Sequence, residues 1–116
     1  MRLRSDLWVS AYLRRAAIEG AFAVLRQRGA AEAGAIFIRL DRLDGTGALF
    51  GPAPQSVITE DDATRRFCRM HDADWVEPSV IEDRLVRELK FDSDLWIIDC
   101  EDRQGRHFLD DALVAR

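Results

Sequence analysis

Four residues of this chain carry metal-ligand chemistry: Cys68, His71, Cys100 and His107. Cys68 and His71 have the C-x-x-H spacing that lets two side chains share one ion. If the strand carrying Cys68 lies beside the strand carrying Cys100, all four could converge on a zinc. The second pair lacks tight spacing, however. Two core thiols and two loop histidines are the simpler reading, and neither a metal nor a cofactor is expected. The carboxylates Glu60, Asp61, Asp62, Asp72 and Asp74 could gather a divalent cation, but Asp72-x-Asp74 has no Gly at the sixth position of a calcium loop. Solvated acidic loops account for them. There is no Gly-x-Ser-x-Gly elbow and no Gly-rich phosphate cradle. No catalytic residue is assigned.

The basic residues are almost all Arg, with Lys90 the only lysine. Arg14 falls inside an apolar helical stripe, where it either snorkels outward or pairs with a carboxylate. Arg14 and Arg39 are therefore the candidates for an anionic-ligand pocket, with the loop Gly51–Gln55 beside them, because Arg suits bidentate anion recognition. Trp8, Tyr12 and Arg15 share a helical face and could form a cation–π cluster. With Gly20 they make a candidate interaction surface. The plainer alternative is that the two rings roof the edge of the core.

The elements that must position these residues begin with a helix expected over Ser5–Gly29. Ser5 reads as its N-cap, Asp6 suits its first turn, Arg26 and Arg28 suit its last, and Gly29 stops it. Leu7, Ala11, Ile18, Phe22 and Leu25 form one apolar stripe, and Val9, Leu13, Ala17 and Val24 a second. That width exceeds what one sheet covers, so a second helix or a second copy of the chain is expected on the surplus. Ala35–Leu43 alternates as a half-buried strand, Asp44-Gly45 reads as a hairpin turn, and Ala48–Phe50 returns. Thr64–Met70 reads as a third strand. Ser79 and Glu82 match a capping box, opening a helix with Ile81, Leu85 and Leu89 on one face. Leu95–Cys100 is apolar throughout and reads as a central strand, and Arg106–Leu109 as a short edge strand. The expected fold is one α+β domain over residues 1–116. It has two layers, in the order helix, three strands, helix, strand and a final strand, with a mainly antiparallel sheet packed on the long N-terminal helix.

At 116 residues the chain can bury a core without staples. Its net charge of −4 argues against binding nucleic acid by general basicity. No apolar run is long enough to span a membrane, and MRLRSD lacks a secretory h-region. A cytoplasmic location with reduced thiols is expected.

The segments SDLWVSAYLRR, GAIFIRLDRLDG, LFGPAPQ and DLWIIDCEDRQGRHFL resemble a family of short bacterial proteins, domain of unknown function 1491, found mainly in Alphaproteobacteria. The resemblance implies a stand-alone bacterial domain and carries over no activity, cofactor or site residue. The order helix, three strands, helix, strand is also that of restriction-endonuclease-like nucleases. Their Mg²⁺-binding acids and lysine are missing, because the third strand reads Arg65-Arg66-Phe67-Cys68-Arg69. Two readings follow. The first is a non-enzymatic binding domain, a homodimer joined through the N-terminal helix. The second is a small enzyme or anion-binding domain with a pocket near Arg14 and Arg39, whose small-molecule ligand is unknown.

Overall fold

A computed structural model describes residues 3–54 and 65–115. Helix α1 spans Ser5–Ile18 and strand β1 Phe22–Gln27. Strands β2 (Ile36–Asp41), β3 (Gly47–Pro52) and β4 (Phe67–Arg69) follow. Helix α2 covers Pro78–Phe91, strand β5 Trp96–Glu101, and a 3₁₀ turn Asp110–Ala112. The fold is α+β as expected, with two helices and a sheet ordered β1-β5-β2-β3-β4. β1/β5, β2/β3 and β3/β4 are antiparallel, and β5/β2 is parallel.

The N-terminal helix stops eleven residues before the expected Gly29. Gly20 takes φ +87°, the Gly20 amide bonds to Ala17 O and the Ala21 amide to Ala16 O. This paired closure is a Schellman motif. The residues beyond it form β1, so the signals assigned to Arg26, Arg28 and Gly29 were not those of a helix end. Ser5 is not a cap either. The first amides of α1, Ser5 N and Asp6 N, bond to the Glu32 and Ala31 carbonyls, while Ser5 Oγ donates to Gly34 O at 2.7 Å. The loop carbonyls do what a capping hydroxyl would do.

The buried face of α1 is Ser5, Val9, Tyr12 and Ala16. The expected apolar stripe, Leu7, Ala11 and Ile18, points to solvent instead. Tyr12 can take the inner position because its hydroxyl donates to His107 O at 2.9 Å, which removes the penalty of burying it.

The sheet is covered on both faces rather than one. Ile36, Ile38 and Leu40 of β2 pack with Val9, Tyr12 and Ala16 of α1. Phe37, from the opposite face of β2, packs with Ile81 and Leu85 of α2. Strand alternation sorts the side chains between these two cores. β5 is interior, as its continuous apolar run requires, with Trp96, Ile97 and Ile98 buried. α2 starts at Pro78 with Glu77 as N-cap and no side-chain cap bond. The expected capping box is absent because Glu82 is drawn to Arg26 of β1, at 2.9 and 2.5 Å. Arg106–Leu109 forms no strand. It turns inward instead, with Phe108 buried at φ +58°.

Candidate functional site

Arg39 and Arg14 are not brought together. Arg39 lies on the α2 face of β2, opposite Asp99 in register. Its Nε donates to Asp99 Oδ1 at 2.8 Å and its Nη1 reaches Asp41 at 3.5 Å. Burial works against the Arg39 charge, yet Asp99 outweighs it and the pKa is raised. Arg26 joins the same network through Asp99 and Glu82. Arg14 is exposed on the outer face of α1, on the other side of the sheet. No pocket is shared by the two.

Trp8, Tyr12 and Arg15 do lie together. Trp8 stacks on Tyr12 at 5.4 Å and meets Phe67 in a tilted contact at 4.9 Å. The Arg15 cation sits 5.8 Å from the Phe108 ring rather than over Trp8 or Tyr12, and forms an ion pair with Asp110. These groups roof the α1 core and pin the C-terminal segment to it. Gly20, at the end of α1, is exposed.

The four metal-ligand residues do not converge. Cys68 lies opposite Gly51 in register, and a Cβ at Gly51 would meet Phe37 and Met70, which belong to the α2 core. Cys100 belongs to the α1 core, on the other face. Burial pushes the Cys100 thiol up to about 11, which leaves it a poor nucleophile. The Tyr12 hydroxyl is also raised by burial. His71 is structural: its Nε2 accepts from the Leu49 amide at 3.0 Å and its Nδ1 donates to Ala73 O at 2.6 Å. Glu60, Asp61 and Asp62 lie outside the described residues, as does the start of the expected third strand. Among the described residues no group of three or more His, Cys, Asp or Glu is placed to hold a metal ion.

Two features stand out beyond these expectations. The first is the outer side of β1. This terminal strand has β5 on one edge and no described strand on the other. Its apolar side chains are exposed on both faces: Phe22 and Val24 on one, Leu25 on the other, with the 78 % exposed Ile18 at the adjoining end of α1. The second is a cleft of about 520 Å³ at the opposite end of the sheet, lined by Arg69, His71, Asp72, Asp74 and the segment Leu113–Ala115. The Arg69 guanidinium lies 5.0 Å from the Phe50 ring and 5.4 Å from the Trp75 ring. Sequence reasoning missed Arg69, because its setting depends on Phe50, Trp75 and the C-terminal segment folding onto one edge.

Among the described residues no helix is long and apolar enough to cross a membrane. A family model described as "Protein of unknown function (DUF1491)" matches residues 3–110. No match was found among curated proteins. The crystal structure of a DUF1491 family protein from Caulobacter crescentus is similar, with TM-score 0.79 and 33 % identity, covering 98 % of this chain and 99 % of that one. An NMR structure of a DUF1491 family protein from the same organism gives TM-score 0.79 at 35 % identity, covering 98 % of each chain. The solution structure of a protein from A. tumefaciens gives 0.74 at 45 % identity, covering 87 % and 86 %. The match over nearly the whole length, with the same fold in these relatives, shows that the chain belongs to the DUF1491 family, whose function is not assigned.

Proposed function

We propose that the protein is a bacterial, cytoplasmic, non-enzymatic binding domain that works as a homodimer, joined through β1 and the adjoining end of α1. The observation that carries this reading is the two-sided apolar edge of β1. An open edge strand is a template for another strand, and proteins that stay monomeric blunt it with lysine, proline or a covering loop. β1 has neither lysine nor proline. Its one charged side chain, Arg26, is held by Glu82 and Asp99. Two copies of Phe22–Gln27 running antiparallel about a two-fold axis at Ala23 would continue the sheet and set Phe22 of each copy opposite Val24 of the other. Leu25 and Ile18 would meet on the other face. The buried thiols of Cys68 and Cys100 suit a reducing compartment.

Light scattering at about 200 μM should give twice the chain mass, falling toward a monomer on dilution to about 1 μM. Val24→Lys, which puts a charge on the edge without touching a buried core, should be monomeric throughout and melt as a folded domain. A strictly monomeric wild-type chain at the higher concentration would overturn the proposal.

A further inference from the structure

The cleft beside β4 supports a second inference, independent of self-association. Arg69 is a half-buried cation with no ion pair to a carboxylate among the described residues, unlike Arg15, Arg26, Arg39 and Arg106. Two rings, Phe50 and Trp75, lie near it, and Nη1 donates to the carbonyl of Asp74. A guanidinium carries five N–H donors in a planar fork. Among the described residues one of these is used, and Arg69 lines the cleft. A stacked, partly dehydrated guanidinium with an open edge suits a planar carboxylate, which it binds in two-pronged fashion. Burial pulls its pKa down, and the Asp74 charge offsets this only partly. A bound anion would stabilise it.

A simple anion does not fit the rest of the cleft. Asp74 lines the same space, and among the described residues no cation, Arg69 included, lies within ion-pair distance of its carboxylate. Asp72 adds a second acidic group to the wall. An anion would meet the Asp74 charge with no ion pair among the described residues to offset it. The remaining wall is His71, whose two ring nitrogens are engaged by Leu49 and Ala73, and the apolar segment Leu113–Ala115. This segment is also fixed, because the Val114 amide donates to Phe67 O at 2.8 Å and Leu113 bridges Phe67 as a parallel neighbour. A cation, an acid and an apolar wall on one small cleft complement a molecule carrying the same three features with opposite charges.

We propose that the cleft binds a small zwitterion of the α-amino-acid type, with its carboxylate on the open edge of Arg69, its ammonium at Asp74 and an apolar side chain against Leu113 and Val114. The arrangement rejects partial mimics. An amine alone leaves Arg69 unpaired, and a carboxylate alone faces the acidic wall.

The test is an amide NMR titration of the full chain with L-leucine, 4-methylpentanoate and 3-methylbutylamine, which carry both charges, the acid alone and the amine alone. Leucine should shift the Arg69, Asp74 and Leu113–Val114 signals saturably. Each one-charge analogue should bind at least about tenfold more weakly. Arg69→Lys keeps the charge but loses the fork, and should weaken leucine to a similar degree. Asp74→Asn alters an exposed side chain, so it keeps the test valid if Arg69→Lys fails to fold. It should weaken leucine while leaving 4-methylpentanoate unchanged or tighter. The proposal is overturned if leucine shows no saturable shift up to about 20 mM, if its shifts map elsewhere, or if 4-methylpentanoate binds as tightly as leucine.

Discussion

His107 lies edge-on to Phe50, 5.6 Å between ring centres, and its Nδ1 accepts the Leu109 amide at 3.0 Å. Burial lowers its pKa from 6.5, the nearby charges of Arg69 and Arg15 lower it further, and Asp110 partly restores it. The unfolded chain therefore holds more protons on this group between the folded value and about 6.5. Its contribution to stability is complete above that window and is lost as the pH falls through it. Urea midpoints should drop between pH 7.5 and 5.5. His107→Asn keeps an acceptor for Leu109 but cannot titrate, and should show a flatter profile. His71 is common to both proteins, so the difference isolates His107. The lowered carboxylates Glu82, Asp102 and Asp110 act only below their own ordinary values of 4.5 and 3.8. Identical slopes in the two proteins would refute the assignment.

Gly20 and Gly29 exchanged roles between sequence and structure, and their substitution should show it. At Gly20 a Cβ meets nothing within 4 Å, so Gly20→Ala costs only the left-handed backbone conformation, about 1 kcal/mol. At Gly29 a Cβ would lie 2.2 Å from Asp94 O and 2.7 Å from Trp96 Cδ1, and backbone must move. Thermal melts should show Gly29→Ala losing several times more than Gly20→Ala, and equal losses would contradict this packing. The mis-set helix end has a physical cause. Phe22, Val24 and Leu25 extend a helical spacing as well as a strand spacing, because an edge strand with apolar groups on both faces lacks clean alternation. Elements with a clean apolar pattern were legible: the β2/β3 hairpin, the continuous run of β5, and the Ile81/Leu85/Leu89 stripe of α2. The inner face of α1 was not, since Ser5 and Tyr12 look polar until Gly34 O and His107 O are seen to satisfy them. The Arg69 cleft was not legible either, because its walls come from segments distant in sequence.

The molecule is a sheet sealed on both faces but open at its β1 edge, which sets a gradient of local stability. β5 and β2 sit inside the sheet between the two cores, and their amides should exchange slowest. β1, bonded along one edge, should open first in dilute protein. If two copies join there, hydrogen exchange by mass spectrometry should show β1 protection rising with concentration in the wild type but not in Val24→Lys. Concentration-independent β1 exchange in both would count against pairing through this strand.

The sheet order has a consequence for how the chain is made. β1 and β2 are sequence neighbours, yet β5 lies between them, with Ile36 facing Trp96 on one side and Phe22 facing Glu101 on the other. While the chain leaves the ribosome, β2 can pair with β3, but the slot between β1 and β2 stays empty until β5 emerges after α2. Both flanks of that slot are apolar in the meantime. The nascent chain is thus most prone to sticking to other chains in the interval before β5 emerges, and insertion of β5 is the step that closes the sheet.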